Sequence, residues 1–311
     1  MMKSLPLCLL LLIGDFMSAA ELTPASFAYV LQADSLVKTK IEAVTKLAAC
    51  GRDWLVLDAN FSNGQPWTPA DLATIRASHA GRKIIAYLSI GEAGTYRAYW
   101  HREWDANQDG IPDSGSPAFL LTQNPEWKDN YRVKYWQAGW QKLILAEEDK
   151  ILAAGFDGVY LDIVDGFETF EQNGENFIDD RLNPETKQSF RRDMVDWVKI
   201  VSARARKSNT AALVIPQNGT QLFAHPDFLT NVDAVGIEDL FTHGDKRQKG
   251  GHTQHILDCL APAIAAHKPV FDIEYARNHE LRAYVQAQAA QHDFVWTITD
   301  RPLKTLGNSG K

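Results

Sequence analysis

Eight short apolar runs, separated by longer amphipathic stretches, set the narrowest limit on how this chain can fold. They cover residues 27–31, 54–58, 84–89, 158–162, 213–217, 234–238, 270–274 and 294–297, each of strand length and rich in β-branched or aromatic residues. Between most of them the spacing predicts a helix, over 37–49, 69–80, 136–153, 184–206, 252–267 and 279–291. Thr68 before Pro69 reads as an N-cap with proline at the first helical position, Gly155 as a C-terminal stop and Asn183-Pro184 as a helix start. Strands alternating with helices imply a parallel sheet covered by helices, and eight is the number that closes a (β/α)8, TIM-type barrel. An open doubly wound sheet is the alternative. It is disfavoured because no glycine-rich phosphate loop follows the first run. The connection over 91–135, after the third strand, holds no clear long helix and is rich in Trp, Tyr, Asp, Pro and Asn. A loop of that length and aromatic content reads as functional rather than disordered.

The beginning of the chain differs from the rest. Lys3, an apolar run over 5–13 and the small residues Ser18-Ala19-Ala20 read as a secretory signal cleaved near Ala20, too short to span a bilayer. The alternative is a buried N-terminal helix. The domain reading is therefore a signal peptide over 1–20 and a single barrel domain over 21–311, secreted or periplasmic. No later segment is apolar for long enough to span a membrane. A net charge of −7 argues against a nucleic-acid partner, which needs clustered cations. Two cysteines remain after the signal, Cys50 and Cys259. They fall on helices far apart around a barrel, so they read as free, buried thiols rather than a disulfide.

Strand alternation points to chemistry. If the apolar residues of each run pack under the helices, Asp58, then Tyr160 and Asp162, then Glu238, and finally Asp272 and Glu274 face inward. Four strands then end on an inward carboxylate at the C-terminal face, where barrel active sites lie. One such acid could be a structural hydrogen bond or a helix cap; four converging read as a site. Neighbouring acids drive their pKa values apart, which glycosidic hydrolysis uses. Ser89, Glu92, Asp165, Gln217, Asn218 and Asp239 follow these strand ends and could bind sugar hydroxyls. Tyr87 and Trp296 belong to the same candidate binding set. So do the insertion's aromatics, of which two or three could line a groove: Tyr96, Tyr99, Trp100, Trp104, Trp127, Tyr131, Tyr135 and Trp136. Asp105, Asn107, Asp109 and Asp113, with Gly110, match the first part of a calcium loop. Ser116 stands where the bidentate Glu belongs, so a solvated Asx turn is the competing reading. A required cofactor is not expected. A metal-dependent hydrolase is disfavoured, since none of the nine His forms an i, i+4 pair around a Glu.

Five segments carry a family resemblance: 87–93 (YLSIGEA), 133–136 (VKYW), 155–165 (GFDGVYLDIVD), 217–219 (QNG) and 236–239 (GIED). Together they resemble glycoside hydrolase family 114, which includes endo-α-1,4-polygalactosaminidases, and most closely its bacterial and archaeal branch with the Ser-Ile-Gly-Glu motif. The resemblance implies a (β/α)8 barrel and cleavage of a galactosamine-rich polysaccharide, with catalytic acids at Asp162 and Glu238. The other reading is an exported carbohydrate-binding barrel without turnover.

Overall fold

The computed structural model describes residues 23–311, so the segment read as a signal peptide lies outside the described residues. All eight runs are strands: β1 Phe27–Val30, β2 Trp54–Asp58, β3 Lys83–Ser89, β4 Gly158–Asp162, β5 Leu213–Pro216, β6 Val235–Glu238, β7 Val270–Glu274 and β8 Val295–Ile298. Strands β1 to β5 pair in parallel in sequence order, as do β6 to β8. The two arcs join at a parallel bridge between Gln217 and Gly236, where the Asn218 N–H donates to the Gly236 carbonyl at 2.8 Å. The ring closes where β1 meets β8. A short strand absent from the sequence reading, β9 at Asn308–Gly310, lies antiparallel on β8 at that seam, and its Ser309 hydroxyl accepts from the Phe27 N–H at 2.9 Å.

The outer layer holds six longer helices among the described residues: α1 Lys40–Ala48, α2 Pro69–Ala77, α3 Ala138–Ala154, α4 Phe190–Ser208, α5 Gly250–Ala265 and α6 His279–His292. Thr39 and Thr68 form capping boxes with Glu42 and Asp71, each satisfying an otherwise orphaned N–H at a helix start. Gly155 ends α3 at φ 98°, a left-handed conformation that costs glycine little. The expected helix start at Asn183-Pro184 is displaced to Phe190, with Ser189 as cap. Asn183 instead forms an Asx turn: its side-chain oxygen accepts from the Glu185 N–H at 2.9 Å and its amide donates to Asp193 at 2.7 Å. After β5 the crossover shrinks to short turns at Thr220–Ala224 and Pro226–Leu229, and after β8 the strand β9 takes the place of a helix.

Two apolar cores result, one between strands and helices, the other inside the ring. The inner core packs Phe271 against Phe27 and Trp54, with ring centroids 4.9 and 5.4 Å apart, and Tyr29 against Tyr160 at 5.1 Å. Gly236 makes this possible, because a Cβ there would lie 1.7 Å from the Tyr160 hydroxyl. The inner core also overturns one reading. On β7 the residues inside the ring are Phe271 and Ile273, so Asp272 and Glu274 point outward beneath the helices. A barrel interior is itself apolar at depth, so apolar residues do not mark the outer face of every strand.

The insertion over 91–135 builds a three-stranded antiparallel sheet from Glu92–Gly94, Leu120–Gln123 and Asn130–Val133. Three of its aromatics pack together and extend the outer core: Trp100 lies on Trp104 and Tyr131 at 5.2 and 4.7 Å. Tyr99, Tyr135 and Trp136 pack on the main core. In the Asp-rich loop, Asp105 accepts from the Asp109 and Gly110 N–H groups and from the Tyr131 hydroxyl. Asp113 accepts from the Ala106 N–H at 2.7 Å, and Asn107 and Asp109 bond to each other at 2.9 Å. The loop is thus tied by Asx turns, and no cluster of three or more His, Cys, Asp or Glu suited to a metal occurs among the described residues. Cys50 and Cys259 are free, as expected, but only partly buried. No helix among the described residues is long and apolar enough to cross a membrane.

Candidate active site

A cavity of about 730 Å³ opens at the C-terminal end of the barrel, lined by strand ends and the loops beyond them from all around the ring. The strand register delivers its polar floor. Pairing of Asp58 with Tyr87 and of Ser89 with Asp162 brings three strand ends to one level. Immediately past the ends of β4, β5 and β6 the chain turns through left-handed residues: Ile163 at φ 56°, Asn218 at 56° and Asp239 at 55°. Ile163 is β-branched, for which this conformation is strained, and such strain concentrates at functional sites. The close approach here admits only glycine at 91, where a Cβ would meet the Ile163 carbonyl at 2.4 Å. Two buried tryptophans, Trp140 from α3 and Trp197 from α4, both donate to the Ile90 carbonyl, at 2.8 and 3.1 Å, and so anchor the end of β3.

At the centre, one amide joins two carboxylates. The Gln217 Nε2 donates to Asp162 Oδ1 at 3.0 Å and to Glu238 Oε2 at 2.9 Å. Each carboxylate's other oxygen takes a phenol: Tyr87 donates to Asp162 Oδ2 at 2.5 Å, and Tyr275 donates to Glu238 Oε1. All four oxygens are therefore held, which fixes the plane of both groups. Burial pushes the Glu238 carboxyl up to about 7, reinforced by the charge of Asp162 and opposed by the Tyr275 hydroxyl. Burial also raises Asp162, while the Tyr87 hydroxyl and the Ile163 N–H work against that rise. Near neutrality this pair supports one protonated and one ionised member.

Around the pair, Glu92 is raised to about 7 by burial and accepts from Asn124 at 2.7 Å. Asp165 is raised by burial and by the charges of Glu168, Asp162 and Glu238. Ser89 donates to the Glu92 carbonyl at 2.9 Å, and Asn218 accepts from the Glu238 N–H at 3.2 Å. Asp58, Tyr87, Ser89, Glu92, Asp165, Gln217 and Asn218 all line the cavity, as do Tyr96 and Trp127 from the insertion.

Four expected binding residues lie elsewhere. Glu274 is buried behind β7 and accepts from the Phe241 and Thr242 N–H groups and the Thr242 hydroxyl. Trp296 faces outward, its ring against Gly310 of β9. Tyr160 is one layer below the floor, in the inner core. Asp239 is set back from the cavity and reaches it through Arg301, which it holds at 2.7 and 2.8 Å. Residues absent from the sequence reading include Tyr29, Arg97, Tyr275 and Arg301. Correct parity on β7 would have found Tyr275, since it continues the inward series of Phe271 and Ile273. Arg97 and Arg301 come from loops and carry no periodic signal.

The sequence profile described as Glycoside-hydrolase family GH114 matches residues 16–310. An uncharacterized protein of Deinococcus radiodurans is 33% identical over 253 residues, spanning 81% of this chain and 74% of the relative. Among solved structures, the glycoside hydrolase domain of PelA from Pseudomonas aeruginosa superposes with a TM-score of 0.65 at 19% identity, covering 92% of this chain and 98% of that one. Aspergillus fumigatus Ega3 in complex with galactosamine superposes with a TM-score of 0.60 at 19% identity, covering 93% and 97%. These two likenesses bear on the fold.

Proposed function

The chain belongs to glycoside-hydrolase family GH114, and from that premise we propose that it cleaves an α-linked, galactosamine-rich polysaccharide with Asp162 and Glu238. The observation that carries this reading is the Gln217 amide shared by the two acids at the barrel mouth. Bonds of 3.0 and 2.9 Å to one nitrogen keep the two bonded oxygens within about 6 Å. That favours retention, for which carboxyl groups stand ~5–5.5 Å apart, over inversion, which needs ~6.5–9.5 Å.

In the first half-reaction Asp162 attacks the anomeric carbon as the carbon–oxygen bond to the leaving sugar breaks, and Glu238 gives its proton to that oxygen. In the second, water attacks the same carbon, Glu238 takes a proton from it and Asp162 is released. Glu238 fits the proton-donor role because it is raised to about 7. An amino-sugar substrate is supported by the charge of the cavity. The ionised Asp162 and the part-ionised Glu92 line it, whereas its two arginines, Arg97 and Arg301, are already neutralised by Asp58 and Asp239. A sugar ammonium therefore enters a field of net negative sign. Ega3, described in complex with galactosamine, has the same fold.

The test is a reducing-end assay on α-1,4-linked galactosamine oligomers, with the anomer of the first product read by NMR. Wild type should release new ends and Asp162→Asn and Glu238→Gln should not. Equal rates in all three would sink the assignment. Binding without any new ends would make the protein a glycan-binding barrel instead. Export after cleavage near Ala20 belongs to the same proposal; N-terminal sequencing of protein from an intact expression host tests it.

A further inference from the structure

The two acids stand in matching shells. Tyr87, which donates to Asp162, has the Arg97 guanidinium 5.7 Å from its ring, the same guanidinium lying 5.0 Å from the Tyr96 ring, and both oxygens of Asp58 hold it, at 3.0 and 2.7 Å. Tyr275, which donates to Glu238, lies under Arg301 at 4.1 Å, and both oxygens of Asp239 hold that guanidinium, at 2.7 and 2.8 Å. Distinct parts of the chain supply the shells. The first uses β2, β3 and the insertion; the second uses the residues just past β6, β7 and β8. Each has the order aspartate, arginine, tyrosine, carboxylate, and only Gln217 is common to both.

We infer that Tyr87 and Tyr275 are paired positioning residues, each setting the ionisation of its own carboxylate. The inference rests on the reading of Asp162 as nucleophile and Glu238 as acid/base. A hydroxyl donated to a carboxylate favours the ionised form. A guanidinium over the ring withdraws charge from the phenol and strengthens it as a donor. The aspartate behind each arginine leaves the outer shell neutral, so the shell orients the phenol without adding a free cation beside the acids. Both phenols keep their protons at any working pH, because burial raises each of them, as do the charges of Asp162 on Tyr87 and of Glu238 on Tyr275.

Other groups face the pair from the surrounding strands and loops. Near Glu238 stand Asp162, Asp165, Asp239, Arg301, Tyr29 and Tyr160. Near Asp162 stand Glu92, Asp165, Glu238, Tyr29, Tyr96 and Tyr160. Most of these feel both acids. The phenol hydrogen bonds do not: Tyr87 reaches only Asp162, and Tyr275 only Glu238.

The two hydroxyls therefore have separable signatures. In the pH profile of kcat/KM the acid limb follows ionisation of Asp162 and the alkaline limb follows loss of the Glu238 proton. Tyr87→Phe should move the acid limb up by about one pH unit and Tyr275→Phe the alkaline limb up by about one unit, the worth of a hydrogen bond to a charged group. Arg301→Gln should move the alkaline limb the same way by less, and it serves as a second variant should Tyr275→Phe misfold. An infrared titration of the carboxyl stretch in substrate-free protein reads the same shifts without turnover. Limbs that stay in place in an active, folded variant, or two phenylalanine variants that move the same limb equally, overturn the inference. A wild type that cleaves nothing overturns the proposed activity instead, and the infrared titration still decides this point.

Discussion

Asp162 and Glu238 sit inside the ring at its mouth; Asp272 and Glu274 sit on the far side of β7, sealed from solvent. Both are pairs of neighbouring carboxyls on barrel strands, and burial raises all four. Their donors separate them. At the mouth every oxygen is held, by two phenols and one shared amide, and the cavity still reaches both groups. Behind β7, Glu274 takes two backbone N–H groups and a hydroxyl, while neither Asp272 oxygen meets a donor. Burial and the charge of Glu274 raise Asp272, so it stays protonated and donates to Glu274, and the pair clamps residues 241–242 just past Glu238 and Asp239. Identical chemistry serves the proposed catalysis on one side of the wall and fastening on the other. Solvent access and donor supply make the difference, not the number of acids.

The comparison is most exposed at the acids themselves. Glu238→Gln should lower kcat on the order of 10³-fold, the usual worth of a general acid, whereas Glu274→Gln should leave kcat within a few-fold. A large kcat loss in the second and none in the first would invert the assignment. Next in size is the bridge: Gln217→Met should cost about tenfold to a hundredfold in kcat with little change in Tm, since it removes hydrogen bonds to charged groups but keeps volume. An unchanged kcat would mean that the shared amide does not organise the pair.

The sealed pair should answer in stability instead. Glu274→Ala leaves two buried N–H groups and Asp272 without their acceptor, so Tm should fall by several degrees, for a cost of about 3 kcal/mol. Glu274 is raised from its ordinary value to about 7. The folded state then holds a proton, shared between Asp272 and Glu274, that the unfolded chain has released, so the pair's contribution is full below the unfolded pKa and is lost as pH rises through about 7. Wild-type Tm should therefore decline between about pH 4.5 and 7, and Glu274→Gln should make that slope shallower, leaving the share of Glu92, Glu148 and Glu238, which burial also raises; an unchanged slope would remove the proton-sharing account. The smallest effect belongs to Trp296→Phe. Its ring lies on the outer face against Gly310, so KM should change by less than about twofold.

Much of this was legible in residue order. Each of the eight apolar runs is a strand, and the acids ending β2, β4 and β6 face inward as alternation predicts. Parity failed on β7 because Phe271 and Ile273 suit the apolar depth of a barrel as well as they suit a helix-covered face. That one inversion sent Glu274 to the wrong side and concealed Tyr275. Trp296 was misplaced for a related reason: β8 carries an extra strand, β9, on its edge, and the ring covers it. In the insertion, aromatic content was visible, but nothing local separates Tyr96 and Trp127, at the cavity, from Trp100 and Trp104, packed into the outer core.

Hydrophobic periodicity is a local property, so the chain alone set the strands, the helices between them and the level at which the acids emerge. Contacts between distant segments are not local. The amide of Gln217 meets both acids only because β5 is bridged to β6 at the junction of the two arcs. Arg97 and Arg301 reach Tyr87 and Tyr275 only because the insertion and the loop after β8 fold back over the mouth. Which acids share an amide, which tyrosine holds which carboxylate and which pair is sealed were therefore matters for the closed barrel, where register and closure bring together groups far apart in the chain.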